Sequence, residues 1–282
     1  MPVARPTVVV LTALPLEYEA VRAHLIGVEK LVHPTGTRAE RGVLPGTGWQ
    51  VALAEIGEGT HNAAALTERV LTWLRPSALL LVGVAGGLKD DIALGDVVVA
   101  TKVYAYDGGK QSAEGFLARP EGWHVSHRLE QAARAALRWR PGVHFKPIAV
   151  ANIVLADSGS GPANRLRTHY NDAVAVEMES SGVLHAAHLA GGQNALVIRG
   201  ISDRLDDKRA ADASGSQLRA AANASAAAVA VLHELELPPA GTAAEPAAPL
   251  GPQYGGDHID FRGGTFHGTV IGKVVNGPGT TG

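Results

Sequence analysis

Four short stretches hold the residues with the clearest chemical potential, and each stands directly after an apolar run. They are TALPLEYEAV (residues 12–21), GVAGG (83–87), VEMESSG (176–182) and RGISDRLDD (199–207). Glu17 follows the first apolar run, Glu177 and Glu179 follow AVAV, and Asp203 follows LVIRGIS. Carboxyl groups brought together from separate strand ends can divide acid–base work, one delivering a proton and another accepting one. Each stretch also has a purely structural account. Glu17 and Glu19, like Glu177 and Glu179, suit the first turn of a helix; Asp203 suits an N-cap or a loop; GVAGG suits a tight turn. All four together, in this order, point to a site.

The elements that must position them alternate along the chain. Apolar runs of strand length occur at 7–11, 50–55, 78–82, 96–103, 147–152, 173–176 and 195–201. Helical patterns occupy 16–26, 62–74, 126–139, 163–169, 179–189 and 216–235. SALLLVGV and NALVIRGI are continuous apolar runs, as expected of strands buried on both faces. The expected fold is therefore α/β, a three-layer αβα sandwich around a twisted mixed β-sheet. The Gly-marked turns of residues 35–56 predict an antiparallel hairpin joined to that sheet. Open α/β sheets keep their ligands at strand ends, where the four stretches fall.

Residues 1–237 are expected to form the catalytic domain. The Pro/Ala/Gly-rich stretch 238–256 reads as a flexible linker, because it has almost no large apolar side chains to offset ordering entropy. Residues 257–282 form a β-prone tail containing IDFRGGTFHGTVIGKVV.

Composition narrows the function. The net charge of −2 offers no polybasic footprint for nucleic acid or membrane. The absence of cysteine excludes disulfides, thiol catalysis and cysteine-type zinc sites. The opening apolar run is too short and too soon followed by Glu17 and Glu19 for a signal peptide, and no segment has the ~18–20 apolar residues of a membrane span. A cytoplasmic location is expected. His185 and His188 lie three apart on a predicted helix without a supporting acidic ligand, so no metal site is expected. No cofactor is expected either; the Gly57-x-Gly59 loop has Asn62 where a dinucleotide fingerprint has its third glycine.

With IGEGTHNAAA (56–65) and LGDVVVA (94–100), the four stretches closely resemble the nucleoside phosphorylase/nucleosidase superfamily, especially the methylthioadenosine/S-adenosylhomocysteine nucleosidases. The resemblance covers residues 8–235 and implies the following roles. Asp203 would be the general acid that protonates the departing purine at N7, which a carboxyl does near neutral pH only where burial raises its pKa. Glu17 would activate water, and Arg199 would set the catalytic groups. Glu179 would grip the ribose hydroxyls, and Met178 would pack on the sugar. Glu177, Val84, Ala85, Gly86 and Ser202 would complete the substrate-binding surface. Val154 and Leu155 would sandwich the base, with no aromatic stacker. A homodimer is implied, with a purine nucleoside or nucleotide as the small-molecule partner.

Water is the expected nucleophile. Related hexameric phosphorylases carry Arg and Ser in the segment that matches LVGVAGG, where this chain has Leu81 and Val84, which offer a phosphate dianion neither charge nor hydrogen bond. Glu17 would also repel it. Arg204, Lys208 and Arg209 form a cluster suited to 5′-phosphates, or equally a solvated loop balanced by Asp206 and Asp207. The tail resembles bacterial amyloid-signalling motifs of necroptosis type. This suggests a defence effector assembling through the tail, on itself or a partner protein. The alternative is a non-catalytic nucleoside-binding or adaptor protein that signals through the same tail.

Overall fold

The computed structural model describes residues 5–237 except 114, 156, 158, 193 and 205–214. The linker and tail readings, and the Lys208 and Arg209 of the basic cluster, lie outside the described residues.

In chain order the elements are β1 (Thr7–Thr12), α1 (Pro15–Arg22), β2 (Ile26–Val32), β3 (Arg38–Val43), β4 (Gln50–Glu55), α2 (Thr60–Leu74), β5 (Ala78–Gly87) and β6 (Val97–Ala105). They continue with β7 (Gly109–Ser112), β8 (Gly115–Ala118), β9 (Glu121–His124), α3 (His127–Leu137), β10 (Val143–Val150), α4 (Gly161–His169), β11 (Ala175–Glu177), α5 (Ser180–Leu189), β12 (Ala195–Arg204) and α6 (Ser216–Glu234).

The main sheet runs β11-β10-β6-β12-β5-β1-β4-β3-β2, with β9 added beside β6. β1, β4, β5 and β12 pair in parallel, whereas β6 meets β12 antiparallel, so the sheet is mixed as expected. The predicted hairpin is β3–β4, paired antiparallel from Glu40 opposite Leu53 to Val43 opposite Gln50. One feature is absent from the sequence reading. β11 pairs in parallel with β10 and also antiparallel with the end of β5, so the path β11-β10-β6-β12-β5 returns on itself. That closure brings VEMESSG against GVAGG.

The core follows the continuous apolar runs. Residues 8–11, 79–82 and 196–198 are buried throughout, as central strands covered on both faces require. One helical layer consists of α6 on β12 and β5, with α1 and α3 packed on α6; the other pairs α2 with α5. Small residues allow both contacts. A Cβ on Gly200 would overlap the Ala220 carbonyl of α6, and one on Gly182 would overlap the Thr60 carbonyl at the start of α2. The buried face of α6 is mostly alanine, so its backbone comes close to the sheet.

Several expectations are corrected. The helix predicted over 16–26 ends at Arg22, and Ile26 begins β2, an edge strand with no buried residue and hence no alternating signature. GVAGG is the end of the ten-residue strand β5 rather than a turn. Asp203 lies inside β12 rather than in the loop after it, since that strand continues to Arg204. The short strands β7, β8 and β9 were not anticipated; each is four residues long with no buried residue.

Candidate active site

The ends of β1, β5, β11 and β12 converge on a cleft. Glu17 enters it from the first turn of α1, where its carboxylate completes the helix start by accepting from the backbone N–H groups of Ala13 (2.8 Å) and Leu14 (3.0 Å). Its other oxygen accepts from the Val84 N–H at 2.7 Å, which ties α1 to β5. The structural reading of Glu17 as a first-turn acid is thus correct, and the same residue is only 2% exposed and faces the cleft. Burial pushes its pKa up, against the pull of Arg199 and the three backbone donors.

Arg199, on β12, is fully buried beneath three carboxylates. It pairs closely with Glu177, donates to Glu179 at 3.1 Å, and lies 3.8 Å from Glu17. Burial works against its charge, but the three carboxylates outweigh that and raise its pKa. Its Nε and Nη1 have no hydrogen-bond partner among the described residues.

Glu177 is saturated. Besides Arg199 it accepts from the Glu179 N–H (3.1 Å), the Ser180 N–H (3.1 Å) and the Ser180 hydroxyl (2.6 Å). It lines the cleft and holds Arg199, which does not line it, in the interior behind. Glu179 is less committed, bonded to Arg199 and to the Gly59 N–H at 3.0 Å. Its pKa is raised to about 7 by burial first and the Glu177 charge second, with Arg199 opposing. Met178, between them, lines the cleft while its carbonyl accepts from Thr60 Oγ1 at 2.9 Å.

Asp203 and Ser202 both line the cleft although they are consecutive. A strand normally turns successive side chains to opposite faces, but the β12–β5 register slips between Ile201 and Asp203. The extra residue of this bulge re-aims the strand end. Ser202 Oγ then donates to one Asp203 carboxylate oxygen at 2.6 Å. Ala85 and Gly86 on β5 form the adjoining wall.

The remaining wall is the segment after β10. Val154 and Leu155 line the cleft as expected, and so does Ile153, which the sequence reading did not single out. Leu155 is buried, whereas Val154 is 53% exposed. None of the described lining residues is aromatic. Glu58 and Gln217 were also missed. Glu58 had a legible signal: it lies between two glycines, Gly57 (φ +69°) and Gly59 (φ +94°), whose left-handed backbone forms a tight presenting loop.

Two sequence candidates fall elsewhere. Arg204 does not line the cleft; its guanidinium donates to the carbonyls of Asp90 (3.3 Å) and Ile92 (3.2 Å). His185 and His188 pack on Trp123, ring centroids at 4.7 and 5.4 Å. Among the described residues there is no His/Cys/Asp/Glu group arranged for a metal ion, and no helix is long and apolar enough to cross a membrane.

This fold and site define a class, and residues 7–235 match the model of the phosphorylase superfamily, so the chain belongs to that family. Its relatives include ATP nucleosidase Cap17 of Escherichia coli, 28% identical over 241 residues, a match covering 72% of this chain. The chain spans about half of that relative, 47% of its length. A 5′-methylthioadenosine/S-adenosylhomocysteine nucleosidase of Desulfotalea psychrophila is 26% identical over 170 residues, covering 58% of this chain and 71% of the relative. Among solved structures, the nucleosidase of the same name from Neisseria meningitidis, in complex with methylthio-immucillin-A, superposes with TM-score 0.71 at 26% identity. That match covers 81% of this chain and 99% of the other. Futalosine hydrolase of Helicobacter pylori shares the fold, with TM-score 0.71 at 18% identity, covering 82% of this chain and all of that one.

Proposed function

We propose that this protein is a purine nucleosidase that hydrolyses the N-glycosidic bond of an adenine nucleoside or nucleotide. One observation carries the reading: Glu17 and Asp203, two carboxyl groups from separate strand ends, line one cleft with different hydrogen-bond environments. Glu17 is fixed by backbone donors that leave a lone pair of the oxygen facing Val84 for a water. Its raised pKa makes it a stronger base than an exposed glutamate. Asp203, with one oxygen held by Ser202, has the other for a proton shared with purine N7.

The reaction is then balanced. Water attacks the anomeric carbon and gives a proton to Glu17, the bond from carbon to purine N9 breaks, and Asp203 delivers its proton to N7 so that the base leaves neutral. Two carboxyl groups flanking an oxocarbenium-like centre follow the logic of glycoside hydrolysis. Glu179 accepts from the ribose hydroxyls, and Arg199 with Glu177 positions Glu179 and Glu17. Ile153, Val154 and Leu155 cover the base with aliphatic contacts. Hydrolysis rather than phosphorolysis is supported by Val84, which turns its backbone N–H to Glu17 and has no side-chain donor for phosphate. The nucleosidase relatives support the same reaction class.

Chromatography of reactions with adenosine, methylthioadenosine, S-adenosylhomocysteine, AMP and ATP tests this. Free adenine is expected without phosphate, and Asp203→Asn is expected to lower turnover by roughly 10²–10⁴-fold with the protein still folded. A strict need for phosphate would overturn the hydrolase reading; no adenine from any substrate would favour the adaptor alternative.

A further inference from the structure

One acid on the sugar side of the cleft has no part in the reaction above. Glu58 lines the cleft from the tight loop between β4 and α2, and it is exposed. Asn62 bonds its main-chain carbonyl, but its carboxylate makes no hydrogen bond or ion pair with any described residue. The next residue, Gly59, gives its N–H to Glu179, so Glu58 stands beside the group assigned to the ribose hydroxyls. The reaction proposed above sets the base against Asp203 and residues 153–155, which line the cleft with Glu58. With the base and the ribose hydroxyls so placed, the part of the nucleoside left to meet Glu58 at the exposed rim is its 5′ substituent.

Among the described residues the charge lining the cleft has one sign. Every charged side chain lining the cleft among the described residues is a carboxylate: Glu17, Glu58, Glu177, Glu179 and Asp203. Arg199 is fully buried and already shared among three of them. Arg204, the one described member of the cluster suited to phosphates, bonds to backbone carbonyls outside the cleft. Among the described residues no cation offsets Glu58, so its carboxylate repels a 5′-phosphate, whereas a 5′-hydroxyl or a cationic group can donate a charge-assisted hydrogen bond to it.

Resting on the nucleosidase reading, we infer that Glu58 is a specificity-determining residue that selects an unphosphorylated purine nucleoside, with a neutral or cationic 5′ group, over a nucleotide. This separates the chain from its relative that is named for ATP. Because Glu58 is exposed, the discrimination is partly electrostatic through solvent and weakens with salt.

The test is adenine release by the full chain from adenosine, AMP and ATP, at low and raised salt, for the wild type, Glu58→Gln and Glu58→Lys. The expected kcat/KM for adenosine exceeds that for AMP by about tenfold or more, the size of one unfavourable charge contact. Glu58→Gln narrows that ratio, Glu58→Lys narrows it further, and salt narrows it in the wild type but has less effect in Glu58→Gln. The change is expected mainly in the KM for AMP. Cleavage of AMP or ATP as efficiently as adenosine, or an unchanged ratio in Glu58→Gln, overturns the inference and leaves the nucleosidase reading standing. No adenine from these three, nor from methylthioadenosine or S-adenosylhomocysteine, overturns the nucleosidase reading itself.

Discussion

The two sides of the cleft are built on opposite plans. On the side proposed to hold the sugar, Glu17, Glu177, Glu179 and Arg199 are buried and cross-linked by hydrogen bonds to backbone and to one another. On the side proposed to hold the base, Ile153 and Val154 are exposed aliphatic residues, and of the three only Leu155 is packed into a core. A charge-building reaction gains from donors and acceptors fixed in advance, because their reorganisation has been completed on folding. An aliphatic wall contributes area and little direction, so it suits a flat base whose polar recognition comes from elsewhere. The difference teaches that, in the proposed reaction, the rigid half would carry the chemistry and the looser half affinity.

Removing the keystone of the rigid half should have the largest effect. Arg199→Met leaves Glu17, Glu177 and Glu179 without their shared cation, and a loss of about 3–5 kcal/mol in urea unfolding is expected, with activity abolished. A variant as stable as the wild type would show that the carboxylates do not need their cation.

Gly83→Ala comes next. A Cβ at that position would overlap both the Glu17 carboxylate and the Arg199 guanidinium. Overpacking of this kind costs about 1–3 kcal/mol, and moving the Glu17 carboxylate is expected to lower kcat by about 10²-fold. Unchanged kcat would mean that the position of Glu17 does not govern turnover.

A smaller effect concerns pH. Glu179 has a pKa raised from 4.5 to about 7, so the folded state holds its proton more tightly than the unfolded state does. The stability this contributes is full below about 4.5 and is lost as pH rises through about 7. Glu17 is shifted in the same direction. Unfolding free energy should therefore fall between pH 5 and pH 8, and Glu179→Gln should flatten that slope. In activity profiles the same substitution should remove an inflection near pH 7. An identical slope in both proteins would place the titration elsewhere.

The looser half should respond least. Val154→Ala removes an exposed side chain, so stability should stay within about 0.5 kcal/mol, with a few-fold rise in KM and little change in kcat. A large fall in kcat would break the division between the two sides.

Much of this was legible because it rests on local pattern. The buried strands read as unbroken apolar runs, and VEMES, RGISD and GVAGG marked the cleft through residue identity alone. The edge strand β2 was not legible, since its seven residues bury none of their side chains and so carry no periodic signature. Asp203 was singled out and lines the cleft, but was misplaced: residue types do not reveal that β12 runs on through a bulge to Arg204. For Arg204 the sequence left two readings open for a related reason, as proximity to Asp203 does not fix where a guanidinium points. Glu58 was passed over because its loop was weighed only as a glycine motif.

By itself the sequence determined the order of the buried strands and the main helices and the supply of acids at strand ends, because burial periodicity and glycine placement act over a few residues. Only the tertiary structure decided which of those acids share one arginine. Glu17 and Glu177 are 160 residues apart in the chain, and they meet at Arg199 because β11 closes onto β5 while α1 starts above Val84. That choice depends on long-range strand pairing and on the cost of burying a charge without a partner, neither of which is local.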